Sequence, residues 1–60
     1  MISAGDKIRH NGDFYYVVST NGQRLWITDE EHNRYNKNAS GWYLDVRLAE
    51  LYDEEGNYWD

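Results

Sequence analysis

Cysteine and proline are absent from this chain, and its longest apolar run, residues 14–18, spans only five positions. Without cysteine, neither disulfide bonds nor a thiolate zinc site can stabilise the fold. Without proline, no segment is typical of a proline-rich ligand or linker. The apolar run is far shorter than the roughly 20 residues that a membrane-spanning helix needs, and no basic and apolar leader opens the chain. We therefore expect a cytoplasmic protein that does not enter membranes.

Positive charge is also scarce: six Lys and Arg stand against 11 Asp and Glu, which gives a formal net charge of −5. The excess of acid lies in residues 29–60, whereas residues 1–28 carry one net positive charge. Proteins that bind nucleic acid directly need a stripe of Lys and Arg to neutralise phosphates. Direct nucleic-acid binding is therefore not expected.

Aromatic residues are abundant, with three Trp, six Tyr and one Phe among 60 residues. A chain of this length forms one domain, here residues 1–60, and buries only about 60% of the surface that its unfolded form exposes. Each aromatic side chain can bury about 150–250 Å². The aromatics therefore build much of a small core, and the surplus is expected on the surface.

Two Asn-Gly pairs, Asn11-Gly12 and Asn21-Gly22, stand ten residues apart and flank a segment of β-branched and aromatic residues. Asn-Gly favours the type I′ turn, which needs positive φ at both central residues and joins twisted antiparallel strands. The pattern predicts a three-stranded meander whose central strand runs over residues 14–20.

Alternation along these strands assigns their faces. We expect Tyr15 and Val17 to join the core, together with Ile8, Leu25 and Ile27. The opposite parity places Phe14, Tyr16 and Trp26 on a second, partly exposed face.

The second half of the chain opens with residues 29–40, a polar stretch that predicts a long loop or one poor helical turn. A strand restarts at Gly41-Trp42, and Asp45 is a suitable cap for a short helical turn. Residues 51–60 predict a closing hairpin with Gly56 in the left-handed conformation. The expected fold is all-β, with about five antiparallel strands and at most one short helical turn.

Three short motifs resemble the small Src-homology-3-like barrels of bacteria and phages. They are Gly5-Asp6-x-Ile8, then Gly12-x-x-Tyr15-x-Val17, and finally Gly41-Trp42 followed six residues later by Leu48. The resemblance implies a barrel made of the N-terminal meander and a C-terminal hairpin, with a Gly-Trp strand that leads into a helical turn. Two features depart from it. Leu44 stands where peptide-binding members carry proline, and the final hairpin extends beyond the usual last strand.

No constellation of catalytic or metal-binding residues is evident. His10 and His32 lack a cysteine partner, and none of the serines lies in a nucleophile elbow. The run from Asp29 to His32 lacks the spacing and the glycine of a calcium loop. We expect no enzymatic activity, no metal and no cofactor.

The surplus aromatics and the acidic residues define a candidate binding surface instead. Aromatic residues are enriched in the hot spots of protein interfaces. The candidate binding residues are Trp26, Tyr35, Trp42, Tyr43, Tyr58 and Trp59, and the candidate acidic rim is Asp29, Glu30, Glu31, Asp53, Glu54 and Glu55.

Three functions fit these features. The first is a phage or bacterial adaptor or inhibitor that binds a protein partner through the aromatic, acid-rimmed surface. The second, implied by the resemblance, is a module that targets a lytic enzyme to cell-wall glycopeptide, in which case the chain is an extracellular fragment. The third is an acidic mimic of nucleic acid that inhibits a nucleic-acid-binding protein. The oligomeric state is left open.

Overall fold

A computed structural model describes residues 2–52 and 58–59. One antiparallel sheet contains the strands β1 (Lys7–His10), β2 (Asp13–Thr20), β3 (Arg24–Thr28), β4 (Trp42–Asp45), β5 (Glu50–Tyr52) and the two-residue β6 (Tyr58–Trp59). Their order in the sheet is β4-β3-β2-β1-β5-β6. Two three-residue 3-10 turns, Glu31–Asn33 and Val46–Leu48, complete the described elements. The predicted all-β class and the N-terminal meander are confirmed.

The first Asn-Gly turn has the predicted geometry. Asn11 and Gly12 have φ angles of 52° and 85°, and the flanking residues His10 and Asp13 pair across the hairpin. Positive φ at both central residues is the requirement of a type I′ turn. The connection between β1 and β2 is therefore as short as the sequence predicts.

The second Asn-Gly turn differs from the prediction. Gly22 has a φ of 93°, but Asn21 keeps a negative φ. The Asn21 side-chain oxygen accepts hydrogen bonds from the backbone N–H groups of Gln23 (3.0 Å) and Arg24 (2.8 Å). Asparagine can bridge its own backbone in this way. The Asn21 N–H also donates to the Arg24 carbonyl over 3.2 Å, so Gly22 and Gln23, rather than Asn21 and Gly22, are the central residues of the turn.

The left-handed conformation of Gly22 leads to a test. A β-carbon at this position would meet no atom within 4 Å, so any cost of substitution comes from the backbone alone. We expect Gly22→Val to lower the free energy of unfolding by about 1–2 kcal/mol, measured by urea denaturation. Gly22→Asn should lose less, because asparagine tolerates this conformation. Equal stability of Gly22→Val and the native protein would contradict the left-handed conformation of Gly22.

The core lies on the inner face of the sheet. Ile8, Val17, Leu25 and Ile27 are fully buried there, Leu44 from β4 joins them, and Tyr15 packs against the cluster while partly buried. The alternation of β1, β2 and β3 thus predicted the core correctly.

The second face is less exposed than predicted at one position. Phe14 is 39% exposed, but Tyr16 is only 8% exposed. The Arg34 guanidinium lies 5.0 Å from the Tyr16 ring centroid, and the Tyr16 hydroxyl donates to Glu31 over 3.5 Å. Residues from the loop that follows β3 therefore cover Tyr16.

That loop is held by a buried arginine. Arg34 is 9% exposed, and its Nε atom donates to the Gly5 carbonyl over 2.8 Å, joined there by Nη2. Gly5 in turn donates its N–H to the Val17 carbonyl of β2. The loop therefore contains an ordered 3-10 turn, Glu31–Asn33. With the turn Val46–Leu48, the described residues contain two such turns, whereas the sequence predicted at most one. The contact that stabilises the turn in this loop joins residues 29 positions apart, so the local pattern left a loop and a helical turn as alternatives.

The other 3-10 turn is the one that the sequence predicted. Asp45 caps it, accepting a hydrogen bond from the Arg47 N–H at 2.9 Å. The Arg47 guanidinium also binds the Asp45 carboxylate, with an Nη2 to Oδ2 distance of 2.8 Å. These hydrogen bonds lower the pKa of Asp45 to about 2. The chain then returns through β5, which pairs with β6 as the predicted hairpin, and Gly56 lies outside the described residues.

The lowered pKa predicts an acid-sensitive contribution of Asp45. Because the carboxyl has a lower pKa in the folded chain, its charged form stabilises the fold above the ordinary value of 3.8. That contribution is lost as the pH falls through about 2. We expect Asp45→Asn to flatten the pH dependence of unfolding over this range, with Asp29→Asn as the control. If NMR shows that the pKa of Asp45 is close to 3.8, the hydrogen bonds between Asp45 and Arg47 are contradicted.

Candidate functional site

Trp26 and Tyr43 are the two candidate binding residues that the structure brings together. Trp42, by contrast, lies on the inner face and Tyr35 lies in the loop between β3 and β4. Tyr58 and Trp59 belong to β6, and their side chains are outside the described part of the structure. The single aromatic surface expected from sequence is thus divided among separate places.

The pair formed by Trp26 and Tyr43 lies on the outer face of β3 and β4, where the two residues are register partners. Their ring centroids are 4.8 Å apart and their planes meet at 68°, an edge-to-face contact. The indole N–H of Trp26 donates to the Ala39 carbonyl over 3.0 Å, which ties the half-buried ring to the loop. Tyr43 is 65% exposed. Trp26 therefore also supports the fold, whereas the Tyr43 ring is available to a partner.

A shallow hollow of about 160 Å³ lies beside this pair. We call it the Trp-Tyr hollow; its lining consists of Ser19, Thr20, Asn21, Arg24, Trp26 and Tyr43. The hollow combines two aromatic rings with hydroxyl, amide and guanidinium groups, all of which form hydrogen bonds. An arrangement of this kind can bind a side chain by stacking and by polar contacts together.

The polar members of the hollow were not among the candidates from sequence. Ser19 faces Trp26 because the register between β2 and β3 shifts between Val17 and Ser19. A bulge of this kind moves one residue out of the strict alternation of a strand. No local signal in the sequence indicates it, so alternation alone could not place Ser19 at the hollow.

Trp42 completes the inner face of the sheet. It pairs with Ile27, and its ring meets the Tyr15 ring edge-on at a centroid distance of 5.5 Å. Even so, 43% of Trp42 is exposed. Trp42 therefore packs against Tyr15, which borders the core, and stays partly exposed.

Tyr35 lies far more open, at 79% exposure. Its ring rests on Gly5, where a β-carbon would come within 2.7 Å of Tyr35 Cε1. The Arg34 guanidinium lies 5.5 Å from the Tyr35 ring centroid. Tyr35 thus helps to close the loop over the segment that precedes β1.

A second aromatic group on the outer face surrounds a lysine. The Lys7 ammonium lies 4.6 Å from the ring centroid of Phe14, 5.1 Å from that of Tyr52 and 5.9 Å from that of Tyr16. Contacts at these distances are cation–π interactions. The rings are thus already occupied by a cation of the same chain, and they stabilise the pairing of β1 with β2 and β5.

The described part of the acidic rim lies in the loop that follows β3. Glu30 approaches His32 at 3.1 Å, and Glu31 lies 3.9 Å from the Arg34 guanidinium. The charged residue at the Trp-Tyr hollow is instead Arg24. Asp53, Glu54 and Glu55 lie outside the described residues.

Each histidine contacts a neighbouring polar group of the chain. One ring nitrogen of His10 binds the backbone carbonyl of Leu48 at 2.9 Å, and His32 contacts Glu30. Among residues 2–52 and 58–59, no three His, Cys, Asp or Glu side chains are grouped closely enough to hold a metal ion. The chemistry that the Trp-Tyr hollow offers is recognition by stacking, hydrogen bonding and charge.

Comparisons of the chain with protein-family models, with curated proteins and with solved structures found no match. In the part of the chain that the structure describes, no helix has the length and apolar character to cross a membrane.

Proposed function

We propose that this chain is a non-catalytic, Src-homology-3-like module that binds a protein partner at the Trp-Tyr hollow. The observation that carries the proposal is the exposed Tyr43 ring, held edge-on by Trp26 beside the guanidinium of Arg24. Trp, Tyr and Arg are the residue types that most often dominate the binding energy of protein interfaces.

The size of the hollow favours a polypeptide ligand. Pockets that enclose small molecules usually measure about 300–1,000 Å³, whereas this hollow measures about 160 Å³. A volume of this size accepts one side chain of a larger partner. The rest of that partner would lie across the neighbouring surface of β3 and β4.

The arrangement of β4 supports the proposed similarity to Src-homology-3-like barrels. Strand β4 begins at Trp42, directly after Gly41, and leads into the 3-10 turn Val46–Leu48. This is the order that the resemblance implies for a Gly-Trp strand and the turn that follows it. Since Leu44 is buried in the core where peptide-binding members carry proline, the partner segment is not expected to be rich in proline.

One observation favours cell-wall glycopeptide as an alternative ligand. Ser19, Thr20 and Asn21 place two hydroxyls and an amide beside the aromatic pair. Such groups can hydrogen-bond to the hydroxyls of a sugar that stacks on a ring. The nucleic-acid mimic gains no comparable support, because Glu30 contacts His32 and Glu31 lies near the Arg34 guanidinium of the same loop.

Peptide selection combined with NMR tests the proposal. Peptides of 12 random residues would be selected on the native chain, and soluble peptidoglycan fragments would be titrated in parallel. We expect peptides to bind and to shift the amide signals of Ser19 and Tyr43 and the indole signal of Trp26, while Tyr35 stays unchanged.

Two results would contradict the proposal. Binding of peptidoglycan fragments alone would assign the hollow to the alternative ligand. Shifts confined to Lys7, Phe14 and Tyr52 would place the site on the other aromatic group. Affinity for the selected peptide should fall only modestly with salt, since stacking contributes beside charge, whereas an acidic mimic would lose its affinity steeply.

A further inference from the structure

Strand β4 is the outer strand at one end of the sheet, and its hydrogen bonds to β3 show which backbone groups face away. The Val46 N–H donates to the Gln23 carbonyl over 2.9 Å, one step beyond the Asp45 and Arg24 pair. In an antiparallel ladder, residues alternate between facing the partner strand and facing away from it. Trp42 and Leu44 therefore direct their N–H and C=O groups to β3, whereas Tyr43 and Asp45 direct theirs outward.

Three of the usual protections against strand pairing, namely proline, lysine and a bulge, are absent from this edge, which is four residues long and ends at Asp45. Edge strands are commonly blunted by proline, lysine or a bulge. The residues of β4 are Trp-Tyr-Leu-Asp, and their register with β3 is regular. Within the described residues, β3 is the one strand that pairs with β4.

Aromatic side chains flank the open edge on both faces of the sheet. Tyr43 on the outer face is 65% exposed, and Trp42 on the inner face is 43% exposed. A strand added beside β4 would therefore place its alternating side chains against one ring on each face. Side chains adjacent across paired strands stabilise a sheet in this way.

We infer that the partner binds by adding an extended segment to β4, so that its backbone pairs with the N–H and C=O groups of Tyr43. The inference rests on the proposed function and specifies its mode. Only another polypeptide presents N–H and C=O groups at the spacing of a strand, with about 6.8 Å between every second residue. A side chain of the added segment reaches the Tyr43 ring at the rim of the Trp-Tyr hollow.

The net charge of the chain indicates the charge of the segment that would pair with β4. A second copy of this chain would bring the same net charge of −5 and would be repelled. A segment that carries lysine or arginine is attracted to the chain as a whole, and it would place these residues away from Arg24 at the Trp-Tyr hollow. The expected occupant is thus a basic, extended segment with β-branched or aromatic residues at alternate positions.

Amide hydrogen exchange tests the mode of binding within one strand. The probe is the tightest 12-residue peptide from the library selection, added to saturation. We expect exchange of the Tyr43 and Asp45 amides to slow by at least tenfold. Trp42 and Leu44 serve as internal controls, since their amides already face β3, and their exchange should change much less.

Two variants without the Tyr43 ring give an independent test. Tyr43→Ala keeps the outward N–H, whereas Tyr43→Pro removes it at an edge position that tolerates proline. We expect the proline variant to bind the peptide at least tenfold more weakly than the alanine variant. If Tyr43→Pro does not fold, N-methylation of the Tyr43 amide in a synthetic chain removes the same donor.

The outcomes separate this inference from the proposed function. Peptide binding at the hollow with unchanged Tyr43 exchange, or equal affinities of the alanine and proline variants, overturns strand addition alone. Selection of acidic peptides overturns the basic occupant. Protection of Tyr43 that rises with protein concentration in the absence of peptide assigns the edge to a second copy. If no peptide binds at all, both proposals fail.

Discussion

Replacement of Gly41 by alanine is expected to remove a large share of the free energy of unfolding. A β-carbon at Gly41 would lie 2.0 Å from the carbonyl oxygen of Ile27 and 3.0 Å from its carbonyl carbon. Both are backbone atoms of β3, so no side-chain rotation can relieve the contact. Strands β3 and β4 would have to separate, which disturbs their ladder and the core beneath it.

The expected loss of Gly41→Ala is about 3 kcal/mol or more, at the upper end of overpacking effects. A 60-residue domain has about 3–9 kcal/mol of stability in total. Gly12→Ala is the matched control, since its β-carbon would meet nothing within 4 Å and only its φ of 85° is unfavourable. That control should lose about 1–2 kcal/mol. Urea denaturation, followed by tryptophan fluorescence, measures the stability of both variants. Equal losses of stability in the two variants would contradict the close approach of Gly41 to the Ile27 backbone.

Loss of the Arg34 guanidinium should have the next largest effect. Arg34→Ala removes two donors from the Gly5 carbonyl and uncovers the Tyr16 ring. A hydrogen bond from a charged group contributes about 1.5–3 kcal/mol, and an acceptor left buried without a partner adds to the cost. We expect a loss of about 3 kcal/mol in the free energy of unfolding.

Replacement of Arg34 by lysine distinguishes the effect of its positive charge from the effect of its planar guanidinium. Arg34→Lys keeps the positive charge but loses the planar fork that donates from two nitrogens, so most of the loss should remain. Lys37→Ala, an exposed residue of the same loop, should change stability by less than about 0.5 kcal/mol. Native stability of Arg34→Lys would show that charge alone holds the loop.

Features of this fold that depend on local pattern were predictable from sequence. Alternation placed Ile8, Leu25 and Ile27 in the core because side-chain parity is fixed within each strand. Asp45 was predicted as a helical cap because capping involves only the next two or three residues. Both predictions are confirmed by burial and by the hydrogen bond to Arg47.

Features that depend on distant contacts were not predictable. The Arg34 contact with Gly5 joins positions 29 residues apart. The place of Ser19 opposite Trp26 depends on a bulge. The second Asn-Gly turn is a local exception: its geometry depends on the hydrogen bonds that the Asn21 side chain accepts from Gln23 and Arg24. Of the six residues that line the Trp-Tyr hollow, Trp26 and Tyr43 were candidates from the sequence. The four polar residues beside them were not.

The structure also changes the choice of residue for a binding test. The sequence placed Trp26 on a partly exposed face, but its indole N–H donates to the Ala39 carbonyl and its ring lies near Gly41. A defect in that variant would mix folding with binding. Tyr43 is the better probe because it is mostly exposed and contacts Trp26 only at its edge.

The most direct measurement of the central claim is the effect of Tyr43→Ala on stability and on affinity in one set of samples, with Tyr35→Ala as the control. We predict that Tyr43→Ala weakens binding of the selected peptide about thirtyfold. It should lose no more than about 1.5 kcal/mol of stability, the upper value of an aromatic pair. Tyr35→Ala should keep the native affinity. A Tyr43→Ala variant that binds like the native chain, or that unfolds, would contradict the claim that the Trp-Tyr hollow is a binding site separable from the fold.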